Sequence, residues 1–225
     1  MSADQGRAAA RKREVRRDLM AVRAAMADEE VKAAAEALAR RALELPELVG
    51  PGEPGSPGES ARTVAAYVSV GREPGTLPLL NALRGRGVRL LLPVLLPDDD
   101  LDWAAYEGPG RLVESERGGR TRLLEPGGPR LGPGAVTGAD VVLLPGLAVD
   151  RRGVRLGRGG GSYDRALARL EAAGAEPALV AVVYGHEVVD ADLPRQPHDR
   201  PVHAALTPEG VHRFPAVAER RRGAD

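Results

Sequence analysis

The sequence predicts an α/β fold, layered α/β/α around a mostly parallel sheet, in a single domain that begins with a pair of helices. Three observations carry this expectation. At 225 residues the chain can bury one sizeable hydrophobic core. Up to Pro46 the apolar residues recur at helical spacing, and beyond residue 62 short runs rich in Val and Leu alternate with helical stretches. Such alternation implies a parallel sheet, because parallel neighbours need a crossover connection between them.

In chain order, Val15, Leu19, Val22 and Met26 fall at steps of four, three and four and predict a helix from Arg7 to Met26 with one apolar stripe. Asp28 is the expected N-cap of a second helix, in which Val31, Leu38 and Leu45 repeat every seven residues until Pro46 stops the pattern. Residues 50–60 are dominated by Pro and Gly and predict a flexible loop. Strands are predicted at Thr63–Val70, Val88–Pro93, Ala139–Leu144, Ala178–Tyr184 and Val202–Leu206, with helices near Thr76–Arg84 and Ser162–Ala173. The segment 98–138, rich in Gly, Pro and charge, predicts a hairpin or an irregular excursion, and 219–225 a disordered tail to the one domain spanning 1–225.

Composition narrows the function. Lys and Arg number 32 and so do Asp and Glu, a balance that supplies no field to make nucleic acid the default partner. Without cysteine there is no disulfide framework, thiolate zinc site or Cys nucleophile, so a metal must be held by oxygen or by the few histidines. The stretch Met1 to Arg17 has no apolar signal-like region, and the apolar runs Leu90–Leu96 and Val141–Val149 are too short to span a bilayer. The expectation is a cytoplasmic protein, monomeric, with neither membrane nor nucleic-acid partner.

The most informative stretch runs from the apolar Val141–Leu144 through Pro145 and Gly146 to Asp164, in the order strand, loop, helix. Gly157, Gly159, Gly160 and Gly161 let backbone N–H groups approach an anion, the following helix adds its positive end, and Arg155 and Arg158 offer forked donors to phosphate oxygens. The ending is neither that of a P-loop nor that of a dinucleotide fingerprint, and a plain flexible turn is the competing explanation.

The run Pro145-Gly146-Leu147-Ala148-Val149-Asp150, then Gly153-Val154-Arg155-Leu156-Gly157-Arg158-Gly159-Gly160-Gly161-Ser162-Tyr163-Asp164, resembles the signature of the 5-formyltetrahydrofolate cyclo-ligase family. The resemblance extends over nearly the whole chain. It implies a fold like that of the NagB, RpiA and CoA-transferase group, and a loop from Arg155 through Leu156, Gly157, Arg158, Gly159, Gly160, Gly161 and Ser162 to Tyr163 that wraps the phosphates of ATP. It further implies that Lys12 and Arg16, one helical turn apart, help hold ATP, and that Val68, Glu73 and Tyr163 meet the folate. Arg158, Tyr163 and Glu73 then carry the catalysis, and Asp164 and Asp199 bind Mg2+. Taken alone, a basic i,i+4 pair is more often a solvated face, a lone glutamate an exposed loop acid, and an Asp beside His198 and Pro201 a turn residue.

The implied reaction is the cyclisation of 5-formyltetrahydrofolate, with or without a polyglutamate tail, to 5,10-methenyltetrahydrofolate, with ATP as co-substrate and ADP and phosphate released. A nucleotide- or folate-binding relative without this activity, or an ATP-dependent small-molecule kinase, are the alternatives. The sequence departs from the family pattern at Val149, Ser162 and His203, which bears on the folate pocket, and at Gly160, where some relatives carry a lysine, so that cationic help there must come from Arg158. Trp103, the single tryptophan, is expected to pack in the core or a loop rather than stack on a pterin.

Overall fold

The period of two in the apolar runs becomes two faces of one sheet. Val64, Leu90, Leu92, Val141, Leu143, Val180 and Val182 enter one buried cluster, while Ala65, Leu91, Val142, Leu144, Leu179 and Ala181 enter another. In this computed structural model the described residues are 3–49, 61–115, 122–196 and 199–214. The predicted loop at 50–60 and tail at 219–225 fall outside them.

The elements follow as α1 (Ala3–Ala25), α2 (Asp28–Ala42), α3 (Pro46–Val49), β1 (Thr63–Ala65), α4 (Leu77–Gly85), β2 (Arg89–Leu95), β3 (Leu101–Ala105), β4 (Leu112–Ser115) and β5 (Leu123–Pro126). Then come β6 (Val141–Pro145), β7 (Ala148–Asp150), β8 (Arg155–Leu156), α5 (Ser162–Ala172), β9 (Ala178–Val182), β10 (Val188–Val189), β11 (Ala204–Leu206) and β12 (Val211–Arg213). Among the described residues, seven strands form the main sheet in the order β12-β11-β9-β6-β1-β2-β3. The pairs from β11 to β2 are parallel, and β12 and β3 close the two edges antiparallel. Leu38 and Ala42 of α2 and Leu79, Leu80 and Leu83 of α4 cover one face, and Ala166, Leu167 and Leu170 of α5 cover the other. The predicted layered α/β fold is therefore observed, and the segment 98–138 carries both β3 and the β4–β5 hairpin.

Several boundaries differ from expectation. β1 stops at Ala65, not Val70, because the chain beyond Ala66 is satisfied by side chains: the Thr76 hydroxyl donates to Tyr67 O (2.7 Å) and accepts from Ser69 N (2.9 Å). A cavity lined by Tyr67, Val68 and Val70 opens there. Asp28 is the first residue of α2 rather than its N-cap; Ala27 holds that place, and the Glu30 carboxylate accepts from Ala27 N (2.8 Å). β11 begins at Ala204, two residues later than predicted, and β9 ends at Val182, two residues earlier than predicted.

The stripe expected on α1 is half realised. Val15 and Leu19 pack on a small cluster of Ala148, Val154, Leu156 and Leu193, but Val22 is 48% exposed. Among the described side chains, the buried positions of α1 are instead Lys12 and Arg23. Trp103 is fully buried beside Leu91 and Val136, as a core residue. Among the described residues no helix is long and apolar enough to cross a membrane.

Candidate active site

The parallel strands β1, β2 and β6 end in the same direction, and a cavity of about 700 Å³ opens beyond their C-terminal ends. That end of an open α/β sheet is where ligands usually bind.

One wall is built by the glycine-rich loop, and a buried carboxylate shapes its approach. Asp150, at the end of β7, accepts from the N–H groups of Arg152 (2.9 Å), Val154 (3.0 Å) and Leu193 (3.0 Å) and from the Arg152 guanidinium (2.7 Å). Burial pushes its pKa up, but these donors more than offset it and hold the carboxyl below its ordinary value. The turn they fix pairs β7 antiparallel with β8 and delivers Arg155 and Leu156 to the cavity. Gly159 (φ 101°) and Gly161 (φ 77°) then take left-handed conformations that side chains resist, and Gly161 precedes the first turn of α5. A Cβ on Gly157 would lie 2.8 Å from Arg155 Nη1, so a side chain there would displace that guanidinium.

Arg155 differs from the free phosphate fork expected of it. Its Nη1 donates to Pro145 O (2.9 Å), its Nη2 to Asp164 (3.3 Å), and its buried Nε has no partner. Burial lowers its pKa against the charge of Asp164 and Asp199. It braces the loop against the end of β6. Arg158, with a side chain 48% exposed, is the accessible guanidinium of the loop.

α1 brings its basic pair to the same wall. Arg16 Nε donates to Gly157 O (2.8 Å), and Lys12 Nζ donates to Asp199 (2.6 Å), whose carboxylate also accepts from Gln196 N (2.7 Å). Both cations expected to clamp a polyphosphate are thus already tied to the loop and to the C-terminal segment.

The opposite wall is apolar, with Val68, Val70, Pro93, Leu95 and Leu101 beside the rings of Tyr67 and Tyr163. Those rings meet edge to face, with centroids 6.5 Å apart. Burial, with the charge of Glu73 nearby, pushes both phenols up, so they are neutral. Glu73 sits between the walls: its side chain is 7% exposed, and it accepts from Val70 N (2.8 Å) and from Arg158 (3.3 Å). Burial raises its pKa, against the pull of Val70 N–H and Arg158.

Every site residue named from the sequence lines this one cavity, from Lys12 and Arg16 through Val68 and Glu73 to the loop, Tyr163, Asp164 and Asp199. Sequence reasoning missed Tyr67, Arg13, Gln196 and the β5 residues Leu123, Leu124 and Glu125. Tyr67 carried a usable signal, as one of four tyrosines standing next to Val68. The β5 residues carried none. Among the departures, Gly160 and Ser162 line the cavity, whereas Val149 is fully buried in β7. His203 precedes β11 and accepts from Leu179 N (2.9 Å) at the opposite end of the sheet.

Fold and site together define a ligand-binding α/β protein whose cavity joins an amide- and guanidinium-lined wall to an apolar, tyrosine-faced one. Residues 8–208 match the model of the 5-formyltetrahydrofolate cyclo-ligase family. The chain is 46% identical over 155 residues to the 5-formyltetrahydrofolate cyclo-ligase of Mycolicibacterium smegmatis, covering 67% of this chain and 75% of that one. It is 34% identical over 154 residues to the protein of that name from Escherichia coli K12, covering 67% and 80%. The structure of 5,10-methenyltetrahydrofolate synthetase from Aquifex aeolicus superposes with a TM-score of 0.70 at 27% identity, over 90% of this chain and 92% of the other. The chain belongs to the 5-formyltetrahydrofolate cyclo-ligase family.

Proposed function

We propose that this protein is an ATP-dependent ligase that cyclises 5-formyltetrahydrofolate to 5,10-methenyltetrahydrofolate, with release of ADP and phosphate. One observation carries the reading: the Glu73–Arg158 ion pair bridges an anion-gathering loop and an apolar wall across a single cavity. Two reactants of those two chemistries can therefore meet. Family membership supports the same reaction.

The formamide oxygen is a poor leaving group. Its attack on the γ-phosphorus breaks the bond to ADP and leaves an iminium phosphate, which N10 attacks; loss of the N10 proton and of phosphate completes the ring. The chain's task is placement and charge. The loop amides, the Arg158 guanidinium and the α5 N-terminus face charge that spreads over the phosphoryl oxygens. Glu73, with a pKa raised by burial, is suited to accept the N10 proton. Tyr163, neutral and half-buried, contributes a flat wall rather than a base.

Asp164 and Asp199 line the cavity, and among the described residues no three His, Cys, Asp or Glu side chains cluster to hold a metal by protein alone. That donor set fits a hard cation that keeps water and takes few carboxylates. Asp164 and Asp199 are the residues to hold Mg2+, which when bound supplies positive charge to phosphate oxygens. Arg13 at the cavity wall gives a glutamate tail a cationic contact. The balanced charge supports a protein without a nucleic-acid partner, and we place it as a monomer in the cytoplasm. The test mixes purified protein with 5-formyltetrahydrofolate and Mg-ATP and follows the methenyl chromophore. Absorbance growing only with ATP present is expected; ADP release without the chromophore removes the assignment.

A further inference from the structure

Tyr67 is a buried phenol whose hydroxyl has no hydrogen-bond partner. The residue is 4% exposed, lines the cavity just past the end of β1, and its oxygen is sealed from solvent. A buried polar group without a partner opposes folding, and its persistence calls for an explanation. Its neighbours are engaged elsewhere. The Glu73 oxygens accept from Val70 N and Arg158, and the Glu187 oxygens accept from Arg23 and Tyr184 N. An apolar phenylalanine would fill the same space without that cost.

The surroundings restrict what could satisfy the hydroxyl. Anions are drawn to the loop and α1 wall, where the arginines and Lys12 stand. Tyr67 instead belongs with Val68, Pro93, Leu95 and the edge-on ring of Tyr163, a slot that suits a flat heterocycle. A neutral phenol there is a steady donor, and the matching partner is a neutral carbonyl oxygen.

We infer that the Tyr67 hydroxyl is a substrate-binding group that donates a hydrogen bond to a carbonyl oxygen of the reduced pterin. This deepens the cyclo-ligase reading and rests on it. In the free protein the hydroxyl is covered as well as unpartnered, so a turn of the Tyr67 ring uncovers it when the pterin binds, and the group adds to substrate affinity instead of to fold stability.

The experiment is Tyr67→Phe in the full chain, which removes one oxygen and keeps the ring. Three quantities are read: the thermal midpoint without ligand, KM for each substrate, and titration of 5-formyltetrahydrofolate without ATP. Expected are an unchanged or higher midpoint, and folate KM and dissociation constant both raised about tenfold, the usual scale for one lost hydrogen bond to a ligand. The ATP KM stays within about twofold. A midpoint lower by several degrees, meaning a protein partner for the hydroxyl, overturns the inference. So does a rise in ATP KM in place of folate KM, or a folate affinity that does not change. Wild-type protein that makes no methenyl product sinks the cyclo-ligase reading itself, whereas active wild type with an indifferent variant sinks this inference alone.

Discussion

Replacing Arg23 by Ala asks what holds the first helix to the body. Arg23 donates to both oxygens of Glu187 (2.6 and 2.8 Å) and to the carbonyl of Gly146, and its guanidinium lies 5.6 Å from the Tyr184 ring centre. Burial lowers the Arg23 pKa, but hydrogen bonds to Glu187 and its charge outweigh that and raise it. Truncation leaves the Glu187 carboxylate, 0% exposed, with Tyr184 N–H as a remaining donor and no guanidinium, the ring of His186 standing 4.0 Å away. Removing one member of a buried pair costs about 3–5 kcal/mol, because the other charge stays behind without compensation. Each kcal/mol moves the midpoint of a chain this size by about 2–4 °C, so the loss is on the order of 10 °C. The measurement is urea denaturation followed by Trp103 fluorescence, with thermal melts beside it. The double variant Arg23→Met, Glu187→Leu recovers most of the stability, since an apolar pair of similar volume has no stranded charge. A single-variant loss below about 1 kcal/mol, or a double variant no better than the single, refutes the account of a helix anchored by one buried ion pair.

Three further outcomes are expected. Arg158→Ala, at a half-exposed position, leaves the thermal midpoint within a few degrees and lowers kcat by roughly 100-fold or more, the scale of one lost donor to transition-state charge; near-normal turnover removes Arg158 from catalysis. Gly161→Ala puts a side chain at φ 77° before α5 and costs about 1–2 kcal/mol in the loop, seen as weaker ATP binding by calorimetry, whereas unaltered binding refutes the need for that backbone conformation. Glu73 has a folded pKa raised above its ordinary 4.5, so the stability it contributes is present below that value and is lost as pH rises through the folded pKa. Wild type therefore loses stability relative to Glu73→Gln from pH 4.5 upward, and parallel midpoint-against-pH curves for the two proteins contradict this.

Much of the site was legible because its chemistry is contiguous. From Arg155 to Asp164 the cations, glycines and helix start follow one another in the chain, and local order alone places them together. The alternating apolar runs likewise announced a two-faced sheet, since the period of a strand is a property of its own residues. Other features left weaker marks. The apolar spacing on α1 pointed to a buried stripe, yet Val22 faces outward while Lys12 and Arg23 are buried, because their partners Asp199 and Glu187 lie 187 and 164 residues away.

By itself the sequence determined the layered α/β class, the order along the chain of the five parallel strands and of α1, α2, α4 and α5, the glycine-rich loop and the family resemblance. Tertiary structure alone decided the strand order, where β1 gives way to a cavity, the turning of Arg155 inward as a brace, and the arrival of β5 and Tyr67 at the apolar wall. The division has a physical cause. Periodicity and turn chemistry act between neighbours in the chain, whereas burial and the pairing of a charge are set by segments that meet on folding.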